Sequence, residues 1–377
     1  APVTNGPEQA GRLRSQGLAA NRFCACVNEP CVRPPGRARP PAAPFCFPLS
    51  AGPAIFCAMS KRVKVAYRRL RQPFEWLAVT LAQTIIPPLS IRGVLRLSRL
   101  IADGAYIFDR RGKAVARANL RLMFGARMTL RRERALIRRA YRNMARVLVD
   151  VFWLSRDAHD RIRSLARFTP SLLDTLCANH PGIFVSAHIG NWEVLSQAAV
   201  AHGLPMISVA KEIGSPEMTA RLTRLRAAIG QRIIPAQGAL RSLMHALKHG
   251  TSVGLLVDQH THIRDGGTWV DFFGVPVNIS LAPAALSRRL GVPIIFGWSC
   301  PLKDGGYRIE IGERFPSDAA SDDQLRTQQL ALAFERVIRR HPSLWCLNYR
   351  RWRYIKPGDD RNRYPFYARP DRGASAH

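Results

Sequence analysis

The chain has 377 residues and a large excess of basic side chains, with 57 Lys and Arg against 26 Asp and Glu and a formal net charge of +31. A protein with this charge favours anionic partners such as nucleic acid, acidic lipid headgroups or an acidic carrier protein. The sequence has no zinc-finger spacing, and its aromatic residues do not alternate with basic ones as in RNA-binding modules. Non-specific nucleic-acid binding is therefore only a minor alternative.

Residues 1–58 differ in composition from the rest of the chain. They hold five of the eight cysteines and no methionine. Cys24, Cys26 and Cys31 could ligate a metal, but no second Cys/His pair follows at a suitable spacing. Met59 begins a stretch that is typical of a bacterial start, so we predict that residues 1–58 are a non-native or disordered extension without function.

Residues 59–110 combine basic and apolar stretches. A basic patch at 61–71 precedes an apolar run at 76–86. This run is shorter than the roughly 20 residues that a membrane-spanning helix needs. The next stretch, 89–108, is amphipathic, with arginines among leucines and isoleucines. We predict a membrane-associating helical segment that dips into or lies along the bilayer, with its basic flank on the cytoplasmic side. A helix of the protein core is the alternative.

From residue 111 onward, strand-like and helix-like patterns alternate. Five short apolar runs predict strands: 183–187, 206–210, 252–257, 292–298 and 307–311. Helical periodicity occurs between them, at 216–229, 239–248, 282–290 and 324–340. The alternation predicts an α/β fold with a mostly parallel central sheet covered by helices. We assign residues 111–357 to this domain and 358–377 to a C-terminal tail.

The first of these strands leads into a turn with a histidine and a carboxylate five positions apart, His188 and Glu193. Asn191 between them is placed to cap the following helix. At this spacing two side chains can converge only across a turn. A histidine oriented by a carboxylate can remove the proton from an alcohol. The alternative is a half-buried histidine beside a glutamate that the helix dipole favours.

Four segments, in order along residues 111–356, resemble the bacterial lipid A acyltransferases, the lauroyl/myristoyl branch of the lysophospholipid acyltransferase superfamily. His188-Ile189-Gly190-Asn191-Trp192-Glu193 is similar to the superfamily's His-x4-Asp/Glu motif. The other three are Ala118–Phe124, the pair Val257–Gln259 with Trp269–Val277, and Phe334–Trp352. The order and number of these segments make the resemblance far more specific than any one of them.

The resemblance implies a membrane-associated acyltransferase at the cytoplasmic face of the inner membrane. It would move a fatty acyl group from a thioester, acyl carrier protein in preference to coenzyme A, to a hydroxyl of a lipid A precursor, without a cofactor. We expect His188 to be the general base and Glu193 to orient its imidazole. The acceptor hydroxyl would attack the thioester directly, because no convincing nucleophilic Ser or Cys lies at this site. A lysophospholipid or ornithine-lipid acceptor remains an alternative.

Five residues are expected to bind substrate: Asn191, Arg224, Arg226, Asp258 and Gln259. Arg224-Leu225-Arg226 matches an arginine-bearing context of the family, and guanidinium groups suit phosphate. A solvated basic helix face explains any single arginine equally well. Asp258 follows an apolar strand, and we expect it to bind the acceptor or to brace the arginines.

A metal-dependent hydrolase is the rival interpretation from another class of chemistry. It would draw its ligands from His188, Glu193, Asp258, His260 and His262, whose residue types suit zinc. The two later histidines match no familiar ligand spacing. We therefore predict no metal, and sensitivity to a chelator would separate the two interpretations.

Overall fold

The computed structural model describes residues 61–125, 128–210 and 216–371, with the side chains of 61–72, 216 and 228 left out. The predicted extension at 1–58 lies outside the described residues, as do positions 372–377 of the predicted tail.

Eleven α-helices occur in these ranges. They are α1 Lys61–Ile85, α2 Ile91–Phe108, α3 Arg110–Phe124, α4 Leu130–Trp153, α5 Ala158–Leu165, α6 Pro170–Ala178, α7 Trp192–Ala201, α8 Pro216–Arg226, α9 Ala239–Lys248, α10 Ala282–Leu290 and α11 Asp323–Arg340. Within the described ranges, no helix has both the length and the apolar character that a membrane span requires. The amphipathic stretch predicted at 89–108 forms α2, and its association with a membrane stays a prediction.

The strands are β1 Ala166–Arg167, β2 Ile183–Ser186, β3 Met206–Ala210, β4 Arg232–Pro235, β5 Ser252–Leu256, β6 Gly267–Phe272, β7 Val275–Ser280, β8 Ile294–Pro301, β9 Tyr307–Phe315, β10 Tyr354–Ile355 and β11 Arg369–Pro370. Seven of them form one sheet in the order β1-β9-β8-β2-β5-β3-β4. All neighbours in it are parallel except β8 and β9. The predicted α/β fold with a mostly parallel sheet is confirmed.

Burial explains why the central strands are continuous apolar runs. Ile183 and Val185 of β2 are buried, as are Ile294, Ile295 and Phe296 of β8. Strands that helices cover on both faces bury side chains pointing either way, so they lack the polar alternation of a half-exposed strand. The sheet and its helical layers therefore form a rigid frame for whatever lies at the strand ends.

The register of β2 and β5 positions the site. These neighbours run parallel in the middle of the sheet, and Ser186 pairs with Leu256. Each strand ends at its paired residue. His188 and Asp258 each follow the paired residue of their strand by two positions, so they lie side by side at the carboxyl edge of the sheet. Open α/β sheets tend to bind ligands at this edge.

Candidate active site

A tight turn carries the chain from β2 to α7. Asn191 is the N-cap of α7, and its Oδ1 accepts a hydrogen bond from the Val194 N–H at 3.1 Å. Gly190 has a φ of +65°, and a Cβ at this position would overlap the carbonyl oxygen of Ser299. Only glycine suits both constraints. The predicted cap is confirmed, and the turn fixes the direction in which His188 leaves the strand.

His188 is hydrogen-bonded to a buried carboxylate, and that carboxylate belongs to Asp258. The distance from His188 Nδ1 to Asp258 Oδ1 is 2.6 Å. The other oxygen, Oδ2, accepts a hydrogen bond from Trp345 Nε1–H at 2.9 Å. Both carboxylate oxygens are thus engaged, so Asp258 is held in one orientation and fixes the imidazole in turn.

The electrostatics keep Asp258 ionised. Burial alone would raise the pKa of its carboxyl, but the charge and hydrogen bond of His188, the charge of Arg351 and the hydrogen bond from Trp345 outweigh burial and lower the pKa to about 2. An ionised Asp258 accepts a hydrogen bond from His188 Nδ1–H. In the neutral imidazole this leaves the lone pair on Nε2.

The other ring nitrogen of His188, Nε2, is the one that can accept a proton. Gln259 Nε2 lies 3.2 Å from His188 Nε2. Since an amide nitrogen can only donate, His188 Nε2 is the acceptor in this contact. The Trp192 ring meets the imidazole edge to face, with 4.8 Å between ring centroids. The sequence predicted Gln259 in this site, and the structure brings its side chain onto the basic nitrogen.

Glu193 is not the carboxylate that holds His188, and here the predicted geometry is wrong. Its two oxygens accept hydrogen bonds from Arg226 Nε at 2.9 Å and Nη2 at 2.7 Å. Glu193 lies in the first turn of α7, and α8 presents Arg226 to it. The strand-to-helix turn separates Glu193 from His188 instead of bringing the two side chains together.

Three further predicted site residues have different surroundings from those expected. Asn191 is fully buried, and its Nδ2 donates to Asp150 Oδ2 at 2.8 Å and contacts the Tyr307 hydroxyl at 3.0 Å. Its contacts therefore support the turn rather than a substrate. Arg224 is exposed on α8, away from the Arg226–Glu193 pair. Of the two roles expected for Asp258, bracing the arginines is not observed, because its carboxylate contacts His188 and Trp345, and acceptor binding stays a prediction.

Helix α4 supports the same turn from behind. Asn143 Nδ2 donates to the carbonyl oxygens of Gly190 and Leu344, both at 3.0 Å. Asp150 also accepts from Arg146 Nε at 2.6 Å. Sequence reasoning missed these residues. The signal was Asp150 itself, a carboxylate within the apolar stretch 147–153, because a buried charge requires partners.

Arg351 is a second residue that sequence reasoning missed. It is buried, and its Nε and Nη1 have no hydrogen-bond partner among the described residues. Its guanidinium lies over the Phe272 ring, 5.3 Å from the centroid. Burial lowers the pKa of Arg351, and the negative charge of Asp258 opposes that shift. Arg351 is thus a buried positive charge that helps to keep Asp258 ionised in the His188–Asp258 pair, called the dyad below.

In the described part of the chain, no three His, Cys, Asp or Glu side chains come together in a way that could hold a metal ion. His260 contacts the Tyr349 hydroxyl at 3.0 Å, and His262 lies 3.9 Å from Asp371. The five residues of the rival metal hypothesis thus form three separate groups: His188 with Asp258, Glu193 with Arg226, and His260 beside His262.

Comparison with known proteins identifies a family and a similar enzyme. The model of the bacterial lipid A biosynthesis acyltransferase family matches residues 61–354. A phosphatidylinositol mannoside acyltransferase of Mycobacterium tuberculosis, found in strains CDC 1551 / Oshkosh and ATCC 25618 / H37Rv, is 26% identical over 213 residues. The alignment covers 54% of this chain and 66% of that protein. The chain thus spans just under two thirds of the length of the curated relatives it matches.

Proposed function

Because the chain belongs to the bacterial lipid A biosynthesis acyltransferase family, we propose that it moves a fatty acyl group from a thioester to a hydroxyl of a lipid. In this acyltransferase, His188 is the general base and Asp258 is the residue that orients its imidazole. The observation that carries the proposal is the 2.6 Å contact between His188 Nδ1 and Asp258 Oδ1. This contact selects the imidazole tautomer whose free nitrogen can take a proton.

The reaction needs one proton acceptor and one leaving group. The acceptor hydroxyl gives its proton to His188 Nε2 as its oxygen attacks the thioester carbonyl carbon. The tetrahedral intermediate collapses, the C–S bond breaks, and the imidazolium returns the proton to the departing thiolate. The products are an ester and a free thiol. Asp258 stabilises the imidazolium while it exists, as the acid of a catalytic triad does.

The oxyanion requires hydrogen-bond donors near His188. The start of α7 supplies backbone N–H groups and the positive end of a helix dipole. The N–H of Asn191 is committed to Ser299 Oγ at 2.7 Å, and that of Val194 to the Asn191 cap. We therefore assign the role to the N–H groups of Trp192 and Glu193, which follow the cap directly. The Glu193–Arg226 pair keeps a negative side chain from approaching the oxyanion.

The lipid acceptor is the second part of the proposal. The family name indicates a lipid A precursor, and the curated relative is named for a mannosylated phosphatidylinositol. Both are anionic glycolipids with free hydroxyls, and the net charge of +31 suits them. On the family resemblance alone, we assign acyl carrier protein as the donor in preference to coenzyme A, and the cytoplasmic face of the inner membrane as the location. Lysophospholipid or ornithine lipid is the alternative acceptor.

The test is acyl transfer by membranes that contain the full chain. Labelled acyl-carrier-protein thioester is offered with a tetra- or hexa-acylated lipid A precursor and, separately, with lyso-lipids, with and without chelator. We expect product with the lipid A precursor, insensitivity to chelator, and a loss of about 10³-fold or more in His188→Ala. Full activity of His188→Ala would overturn the proposed base, and loss of product with chelator would favour the metal hypothesis.

A further inference from the structure

Helix α2 presents an apolar face that the rest of the described structure leaves uncovered. Leu100, Ile107 and Phe108 are 72%, 63% and 81% exposed, and Ile101 is exposed as well. At 3.6 residues per turn these four positions share one side of the helix. Val94, Ser98 and Ala102 are buried on another side of the helix. An exposed apolar face of this kind on a soluble surface marks an interaction site.

A basic stripe borders that face on one side. Arg92, Arg96 and Arg99 are exposed, and helical geometry places them between the apolar face and the buried face. Asp103 and Tyr106 lie on the same side of the helix, nearer to its end. An apolar strip flanked by cations is the arrangement of a helix that lies in a membrane interface.

The stripe leads into a cleft between α2 and α4 of about 310 Å³. The cleft is lined by Tyr106, Arg134, Ala135, Arg138, Arg139 and Arg142. Asp103 binds Arg138 at 2.9 and 3.0 Å and reaches Arg142 at 3.3 Å. Among the described residues, Arg134 and Arg139 have no such partner. The lining thus has four cations, and a single carboxylate neutralises part of their charge.

We propose that this cleft binds the phosphate headgroup of an anionic phospholipid while the apolar face of α2 enters the acyl-chain region of the same membrane. Guanidinium groups form paired hydrogen bonds to phosphate oxygens, and Arg134 and Arg139 have donors to spare. Ile107 lies one helical turn after Asp103, which binds Arg138 of the cleft, so these two side chains are neighbours on the helix surface. A headgroup in the cleft would therefore lie near the edge of the apolar face that contacts its own acyl chains.

The cleft is also tied to the active site through α4. Arg139 lies one helical turn before Asn143, about 6 Å along the axis. Asn143 holds the carbonyl of Gly190 in the turn that carries His188. A headgroup bound at Arg139 would fix the height of His188 above the membrane surface. The proposal concerns docking and is independent of whether the acyl-transfer proposal is correct.

The test compares two double variants of the full chain in flotation with vesicles. Arg134→Gln/Arg139→Gln removes the two unpartnered cleft cations. Arg131→Gln/Arg132→Gln removes the same charge from exposed positions of the same helix outside the cleft. With phosphatidylglycerol vesicles, we expect the cleft variant to lose at least tenfold more affinity than the control variant, and neither to change binding to phosphatidylcholine vesicles. Unchanged thermal unfolding would show that both variants fold.

Equal losses in the two variants would overturn the proposal, since a diffuse basic surface costs about the same for each arginine removed. Unchanged vesicle binding together with a raised KM for acyl carrier protein would assign the cleft to the carrier instead. Competition by millimolar inorganic phosphate, with no preference for vesicles, would show a phosphate site without a lipid. A Phe108→Trp variant should show blue-shifted fluorescence on phosphatidylglycerol vesicles, and no shift would contradict insertion of the apolar face.

Discussion

Two carboxylates near the turn between β2 and α7 are in different situations. Asp258, two residues beyond β5, is hydrogen-bonded to His188 and Trp345, and its side chain is 3% exposed. Glu193, in the first turn of α7, forms a bidentate ion pair with Arg226, with side chains 11% and 16% exposed. The first arrangement prepares a base, and the second neutralises a charge beside the site.

Strand register explains why the nearer carboxylate in sequence is not the partner. His188 and Asp258 lie 70 positions apart, yet both are two residues beyond a paired position of β2 and β5. Glu193 is five positions from His188, but the cap at Asn191 starts α7 and turns Glu193 toward α8. Proximity across a parallel sheet therefore outweighs proximity along the chain.

Breaking the ion pair should have the largest effect on stability. Arg226→Met leaves the nearly buried Glu193 without a partner, so we expect it to lower the free energy of unfolding by about 3 kcal/mol. The Glu193→Gln/Arg226→Met double variant should recover more than half of this loss. Urea unfolding measures both. Arg224→Met, on the exposed side of α8, is the matched control and should change the free energy of unfolding little. If the loss in the double variant equals the sum of the losses in the two single variants, Glu193 and Arg226 are not coupled.

Sequence patterns predicted the fold well and the pairing within the site less well. Helices 239–248 and 282–290 and the strand at 206–210 match the structure residue for residue, because their periodicity is local. The pattern gave no sign of β4, whose first residue is an exposed arginine, or of the hairpin β6–β7. β4 pairs with β3, which lies earlier in the chain, whereas β6 and β7 pair with each other across the turn at Phe273 and Gly274.

The same distinction applies to the candidate site. His188, Asp258 and Gln259 were singled out and do converge, whereas the choice between Glu193 and Asp258 required a register that no single sequence shows. Trp345 lay within a matched segment, but its hydrogen bond to Asp258 joins residues 87 positions apart. Residue type therefore identified the members of the site, and sheet pairing decided their roles.

Low pH should remove the stabilisation that ionised Asp258 gives to the fold. Its carboxyl has an ordinary pKa of 3.8 that folding lowers to about 2. A lowered pKa stabilises the fold fully above the unfolded value, and this contribution is lost as pH falls through the folded value. The difference in unfolding free energy between wild type and Asp258→Asn should thus narrow by about 2 kcal/mol between pH 5 and pH 2. Urea unfolding across that range checks this, and a pH-independent difference would contradict it.

Removing one donor to Asp258 should have the smallest effect. Trp345→Phe keeps an aromatic ring but loses the N–H bonded to Oδ2, which costs about 1 kcal/mol and lowers kcat roughly 5- to 10-fold. Trp352→Phe is the matched control, because its Nε1–H donates to the carbonyl of Phe272 at 3.2 Å and not to the dyad. Equal effects of the two variants on kcat would mean that Trp345 only fills space.

The most direct test of the account compares kcat of Asp258→Asn and Glu193→Gln on the same acyl thioester and lipid acceptor. Asparagine preserves shape but allows the wrong imidazole tautomer, so we predict a loss of about 10³- to 10⁴-fold for Asp258→Asn. Glu193→Gln still accepts from Arg226, and we predict a loss of about 10-fold or less. A Glu193→Gln variant as inactive as His188→Ala, beside a nearly active Asp258→Asn, would contradict the assignment of Asp258 as the partner of the base.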